Sequence, residues 1–332
     1  MTELRTTRRK LLTGALATAG LAGLPMRRAK AAVDKVNVGV FPVSSSLPYF
    51  VAIDLGFFKK AGIDPQTIKL MGGPPNVAAL MTKQIEVASV LVTLEGLNAD
   101  VKKPGVAMYI ALHGQNKKYV MEQFVVREGL ADKVKSLKDF KGLKLMSAPG
   151  PANIDAAKGI LAKVGLKPGD YTIDQLGMGQ HVNAMKSGVF DGGYTLEPAA
   201  TIMHQLKVAK TVEAGVIAKY VLGDPMAKAF AAGCALSTDF IDKRPDVAKR
   251  FAEGWSMAAD YIRTNPEAAQ KHLAKNTLTP ANLVDVVPRL YYTMTKDLSP
   301  KELGWLQTFA DFGNEIGVVP KKVDVKKYLK SF

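Results

Sequence analysis

The chain has 332 residues, 47% of them hydrophobic, and carries 45 Lys and Arg against 30 Asp and Glu, a formal charge of +15. That is enough chain for one large or two medium domains with ordinary cores, and too apolar for a disordered segment. The basic residues are spread thinly and form no cluster of the kind that grips a phosphate backbone, which argues against a nucleic-acid partner.

The first 31 residues read as an export signal rather than as part of the fold. Thr7-Arg8-Arg9-Lys10 precedes a short apolar run, Leu11 to Leu24, interrupted by Gly14, Gly20 and Gly23, and then come Arg27, Arg28 and Ala29-Lys30-Ala31. A basic start, a short apolar stretch and an A-x-A site describe a cleavable signal peptide, and the run is too short and glycine-rich for a membrane span. The paired arginines resemble the twin-arginine type, with Leu11 where Phe is usual and Thr13 where Lys is common; general secretory export is the alternative. No Cys stands near the cleavage site, so a lipid anchor is not expected. Seven basic residues and one acid fall in this segment, so cleavage after Ala31 leaves about 301 residues with a charge near +9.

Beyond it, short strands alternate with helices. Val36–Val40 reads as a strand, Phe41–Pro48 as a turn-rich loop with three hydroxyls, and Pro48–Ala61 as a helix stopped by Gly62. Strands follow over 66–71, 87–92 and 106–112, with a Gly-Gly-Pro-Pro turn at Gly72 opening a helix over 77–83. The run Val87–Val92 is apolar throughout, as expected of a buried strand. A second set has strands over 123–127, 143–147, 171–176, 192–196 and from Lys210, with helices over 154–164, 181–187 and from Glu197-Pro198. Such alternation implies βαβ units and a mainly parallel sheet in each of two α/β lobes. After about Thr238 the pattern becomes all-helical, with starts at Arg244-Pro245-Asp246, Asn265-Pro266-Glu267, Thr279-Pro280 and Ser299-Pro300-Lys301-Glu302. This tail is expected to pack back on the first lobe. Cys234, among Ala231, Ala232, Gly233 and Ala235, reads as a buried small residue that cannot form an internal disulfide. Of the four histidines, His113, His181, His204 and His272, none has metal-ligand spacing to another or to Cys234. There is no nucleotide-binding glycine loop, so no cofactor or metal is expected.

Several segments resemble one family in the right order. Leu47-Pro48-Tyr49 with Gly56-Phe57-Phe58-Lys59-Lys60-Ala61-Gly62-Ile63 looks like the opening helix of periplasmic solute-binding proteins of ABC importers, in the group that binds nitrate, sulfonate, taurine and thiamine precursors. Gly72-Gly73 with Ala78-Ala79-Leu80, Gln84-Ile85-Glu86-Val87-Ala88 (Lys83 replacing a common Gly), Leu137–Gly142, and Ala184–Gly192 with Glu197-Pro198 are similar to later segments. The resemblance implies a type II periplasmic-binding-protein fold. Lobe 1 would be discontinuous over residues 32–121 and 236–332, and lobe 2 would cover 122–235. The crossings would fall near Met121–Phe124 and Gly233–Leu236, with a ligand in the cleft. It also implies a monomer in the periplasm that delivers a small molecule to an inner-membrane permease.

In such a fold, loops at the carboxyl ends of the strands line the cleft. The candidates are Ser44, Ser45, Ser46, Tyr49, Asn76, Thr93 and Glu95 from lobe 1, and Asn153, Gln180, His181 and Glu197 from lobe 2, with Gln115 a further position. Each has a plainer reading. Tyr49 is a ring for stacking on a planar ligand or a core residue. Glu95 is a first-turn acid favoured by the helix dipole or a ligand contact. Asn153 is a helix cap, a donor, or both. His181 suits a cap region, and Glu197 a structural role at its Pro. Solute capture for import is the expected function and solute sensing the alternative; an enzyme is not expected, since there is no nucleophile–base pair or metal constellation. The hydroxyls, helix N-termini and basic charge favour a small organic anion, a sulfonate or carboxylate. Such an anion is the expected ligand; the alternative, which Glu95 with Tyr49 favours, is a planar nitrogen heterocycle such as a pyrimidine.

Overall fold

The computed structural model describes residues 33–332, which form one compact unit; the expected signal peptide lies outside the described residues. The chain runs β1 (Asp34–Val40), a 3₁₀ turn at Ser44–Ser46, α1 (Leu47–Asp54), α2 (Phe57–Lys60), β2 (Ile63–Lys69), α3 (Gly73–Met81), β3 (Val87–Val92), α4 (Thr93–Lys102) and β4 (Met108–Gln115). A second set follows: β5 (Glu122–Arg127), β6 (Lys144–Ser147), α5 (Pro151–Lys163), β7 (Thr172–Gln175), α6 (His181–Ser187), β8 (Gly192–Leu196), α7 (Ala199–Gln205), β9 (Ala209–Ala214) and α8 (Val216–Tyr220). The chain ends with β10 (Ala229–Leu236), α9 (Thr238–Lys243), α10 (Pro245–Thr264), α11 (Pro266–Gln270), α12 (His272–Asn276), β11 (Tyr291–Met294) and α13 (Pro300–Glu315).

The strands make two sheets, ordered β11-β4-β10-β3-β1-β2 and β7-β6-β8-β5-β9. Both are mixed rather than mainly parallel. In the first sheet β1 pairs in parallel with β2 and β3, whereas β10 runs antiparallel between β3 and β4 and β11 antiparallel to β4. In the second, β6 pairs in parallel with β7 and β8, and β5 antiparallel with β8 and β9. The alternation that predicts βαβ units holds for β1–β3 and β6–β8. It fails where the chain leaves one sheet for the other, because a returning strand enters from the opposite end.

Two expectations about the first sheet are corrected by this order. The boundary expected at residue 235 falls inside β10, a strand of the first sheet, so the chain has returned there before Ala229. The tail is not all-helical: β11 is an edge strand of the first sheet, and Thr279-Pro280 opens only a 3₁₀ turn at Ala281–Leu283. The segments joining the sheets, 116–121 and 215–228, lie side by side. The Asn116 side chain donates to the Met226 carbonyl at 2.9 Å and accepts from the Lys118 and Tyr119 amides. Gly215, at φ +67°, sits where a Cβ would meet the Lys117 amide nitrogen at 2.5 Å, so this contact needs a glycine.

One face of the first sheet is sealed by α10. Its stripe of Val247, Phe251, Trp255, Ala258 and Ile262 follows helical spacing and is buried. Phe251 stacks on Phe58 of α2 at 4.6 Å, and Gly254 lets the helices approach, since a Cβ there would lie 2.7 Å from the Phe58 ring. At the start of this region Arg244 and Arg250 both hold the Asp34 carboxylate, at 3.2 and 2.6 Å. A third apolar cluster mixes Phe41, Val43 and Val90 with Met121, Val125, Met146 and Leu196, so the two sheets share a seam. Among the described residues no helix is long and apolar enough to cross a membrane.

Candidate ligand-binding cleft

The loop after β1 reaches across to the second sheet. The Ser44 hydroxyl and amide each lie 3.4 Å from the Glu197 carbonyl, and the hydroxyl also meets Met121 Sδ at 3.3 Å. Behind this contact is a narrow void of ≈ 20 Å³ between the sheets. Its polar lining is Ser45, His113, Gln115, Glu122 and Asn153; Phe41, Val90, Met121, Leu196 and Leu290 supply apolar walls. Ser45 Oγ lies 2.8 Å from His113 Nδ1, and His113 Nε2 has no hydrogen-bond partner. Burial holds the imidazole down to about 3, so it is neutral at ordinary pH. Glu122 begins β5 right after the crossing; its carboxylate accepts from the Tyr194 hydroxyl, and burial pushes it up to about 7. No Lys or Arg lines the void. Among the described residues no cluster of His, Cys, Asp and Glu could hold a metal ion.

The sequence candidates divide. Ser45 and Asn153 line the void, with Asn153 Nδ2 also donating to the Pro149 carbonyl at 2.7 Å. Ser44 bridges the sheets beside it. The others are committed elsewhere. Ser46 donates to the Phe41 carbonyl within its own loop. Tyr49 lies in the core behind the first sheet, against Phe50 and Phe58, with its hydroxyl 2.7 Å from Thr67 Oγ1. Asn76 ties Gly72 at 2.7 Å and Thr93 ties the Phe230 carbonyl at 2.7 Å. Gln180 is exposed. His181 is buried with both ring nitrogens occupied, by Thr195 Oγ1 at 2.8 Å and the Leu176 carbonyl at 3.0 Å, and burial holds it down to about 4. Glu197 accepts from Gln123 Nε2 at 2.6 Å and from the Thr201 amide at 3.2 Å, so it caps α7. His113 and Glu122 were missed, and Gln115 was only touched on; for Gln115 and Glu122 the available signal was a polar residue at the end of an otherwise apolar strand, whereas His113 lies inside one.

Glu95 is placed unlike the rest. It lies in the first turn of α4, 5% exposed, and burial pushes it up to about 8. It does not line the void. A Cβ on Gly73, at the start of α3, would sit 1.3 Å from Glu95 Oε2, and one on Gly150, at the start of α5, 2.1 Å from Oε1. The Ala152 amide faces it and opposes the upward push, yet neither carboxyl oxygen has a hydrogen-bond partner of ordinary geometry.

A wider hollow shares Leu290 with the void and is basic, lined by Lys118, Arg263 and Arg289 against Asp285. Apart from Lys118 and Tyr119 of the segment joining the sheets, its lining comes from α10 to β11.

Comparison with known proteins places the fold. The NMT1-like family matches residues 29–276. The chain belongs to that family. Its structure is similar to the alkanesulfonate-binding protein SsuA of Xanthomonas axonopodis pv. citri bound to MOPS, with 17% identity, coverage of 90% of this chain and 98% of that one, and a TM-score of 0.71. It is similar to the periplasmic aliphatic sulphonate-binding protein SsuA of Escherichia coli (17% identity, 89% and 97% covered, TM-score 0.68). The periplasmic nitrate-binding protein NrtA of Synechocystis PCC 6803 is also similar (15% identity, 89% and 84% covered, TM-score 0.67). A search of curated protein sequences finds no match. Two mixed sheets flanked by helices are thus the fold of periplasmic binding proteins.

Proposed function

We propose that this member of the NMT1-like family is the solute-capturing component of an ABC importer, exported to the periplasm after cleavage near Ala31, and that it closes its two sheets on a small uncharged solute with a planar apolar body and polar edges, such as a nitrogen heterocycle. One observation carries this choice of ligand: the void between the sheets has neutral or protonatable polar groups and no Lys or Arg. An anion buried there would lack a counter-charge. An uncharged heterocycle instead meets apolar walls, the Ser45–His113 pair, the Gln115 amide and Asn153, each able to donate or accept. Capture without chemistry is supported by the lack of any activated nucleophile among these groups; Ser45 does face a histidine, but His113 is held neutral by burial and no third group orients it. Delivery to a permease, and action as a monomer, rest on the fold's likeness to the sulfonate- and nitrate-binding proteins.

A small organic anion, the alternative that the charge and hydroxyls favour, is supported by the names of those similar proteins and by the basic hollow beside Leu290. A thermal-shift screen of residues 32–332 against pyrimidines and other heterocycles, sulfonates, carboxylates, nitrate and amines separates the two. Stabilisation by heterocycles is expected. Stabilisation by anions alone overturns the choice of ligand.

A further inference from the structure

Three helix N-termini converge on one carboxyl group. Glu95 is in the first turn of α4, its Oε2 lies against Gly73 of α3, and its Oε1 against Gly150, the residue preceding α5. Helices α3 and α5 follow strands of different sheets, so the contact crosses between the two halves of the fold. Both helices open in the same way, with a glycine at positive φ as cap (Gly72 at +121°, Gly150 at +101°) and proline in the first turn. In α3 the prolines Pro74 and Pro75 leave Gly73 as the one first-turn amide, in α5 Pro151 is followed by the Ala152 amide while that of Asn153 bonds the Gly150 carbonyl at 3.1 Å, and glycine removes the Cβ that would stand in the way. The Pro74 ring lies 3.1 Å from the Cβ position of Gly150, so the two turns abut. Such a pair of facing N-termini is an anion cradle in the sense that two helix dipoles point at one place, with the Ala152 amide facing the carboxyl. The second observation is the side chain already aimed into it. The Glu95 carboxyl is nine-tenths buried and without a hydrogen-bond partner of ordinary geometry.

We infer that Glu95 is a tethered occupant of this cradle and thereby a specificity-determining residue of the cleft: its carboxyl fills the space between the α3 and α5 N-termini that a small free carboxylate or sulfonate would take, and it bars such anions while helping to hold the two sheets together. The inference rests on the proposed cleft but not on which solute the neighbouring void takes. The space is closed sterically, because the carboxyl lies at the helix starts themselves.

Truncation tests it. Glu95→Ala leaves a hole the size of an acetyl group lined by the α3 and α5 N-termini. The protein is residues 32–332; the probes are sodium acetate, sodium methanesulfonate and, as uncharged control, acetamide, at constant ionic strength. Titration calorimetry gives affinity and small-angle scattering gives the separation of the lobes. In Glu95→Ala the ligand-free protein is expected to be more open, and acetate or methanesulfonate to bind at least about tenfold more tightly than to the wild type and to restore the compact form; acetamide does neither. Glu95→Ser carries the same test if the alanine variant does not fold. Equal affinity of a folded variant and the wild type for both anions overturns the inference, as does tight methanesulfonate binding by the wild type. A wild type that binds no heterocycle, beside a variant that gains acetate, overturns the ligand choice above and leaves this inference standing.

Discussion

Raising the pH should loosen the folded protein, and the sign follows from three buried carboxyls. Glu95, Glu122 and Glu197 are buried, and among the described residues none is paired with Lys or Arg. Burial raises all three, Glu95 to about 8 and Glu122 to about 7, from an ordinary value of 4.5. Between those limits the folded form keeps a proton that the unfolded chain has released. Stability is therefore fully present below about pH 4.5 and falls, for each group, by up to ~1.4 kcal/mol per pH unit until its folded value is reached. Buried histidines act in the opposite sense: His113 and His181 are held down to about 3 and about 4, so folding is favoured as pH rises, but only up to their unfolded value of 6.5. From about pH 6.5 to 8.5 the carboxyls act alone, with Glu95 contributing a loss on the order of 2 kcal/mol and Glu122 under ~1 kcal/mol. Opening the cleft hydrates Glu95 and caps its share, so part of the loss should show as expansion. A total near ~3 kcal/mol corresponds to a melting temperature lower by roughly 5–8 °C for a chain of this size. Thermal melts and scattering on residues 32–332 across that window check it, beside Glu95→Gln and Glu122→Gln, each of which should remove its own part of the slope. A wild-type melting temperature that is flat or rising across the window refutes the reasoning.

Gly73→Ala places a methyl on the Glu95 carboxyl and should cost about 1–3 kcal/mol and expand the protein, whereas Gly304→Ala, on an exposed turn of α13 with nothing near its Cβ position, should stabilise by about 0.5–1 kcal/mol; melts that rank the two the other way would contradict the placement. Trp255, fully buried between Phe251 and His113, should cost about 3–5 kcal/mol on change to Ala, measured by denaturant unfolding. Ser45→Ala removes the hydroxyl held by His113 and should weaken the solute found by screening about tenfold, close to one lost hydrogen bond, while Ser46→Ala, whose hydroxyl serves its own loop, should leave affinity unchanged and show in stability alone.

Much of the fold could be read because its signals are local. Val87–Val92 is apolar at every position and becomes β3, and Ser299-Pro300-Lys301-Glu302 becomes a capped helix start, with Ser299 and Glu302 bonding each other's backbone amides. What stayed hidden depends on partners far away in the chain. Nothing in Ala229–Leu236 says that it returns to the first sheet between β3 and β4; small apolar residues suit either a crossing or a central strand. Tyr49 sits in a helix apolar on nearly every side, with six of eight residues buried, so no periodicity marks which side meets the cleft, and its ring went to the core. His113 lies inside an apolar strand, where a lone histidine carries no signal until Ser45 arrives from β1's loop.

Glu95 shows the limit most clearly. An acid in a first turn is explained well enough by its own helix dipole, and the two Gly-Pro turns are each explained as helix starts. The helix starts and the first-turn position of Glu95 are there in the structure, while burial favours the neutral carboxyl over the charged one that a dipole would favour. None of these local readings contains the fact that matters, which is that the turns at Gly73 and Gly150 come from different sheets and face each other over that one carboxyl. The register of β1 on β2 and β3 sets where α3 begins, and that of β6 on β7 and β8 sets where α5 begins. The site exists only through the packing of one sheet on the other, so a carboxyl placed there senses whether the two halves are together. That is why its removal, rather than that of any residue lining the void, is the change that should both open the protein and create a place for a free anion.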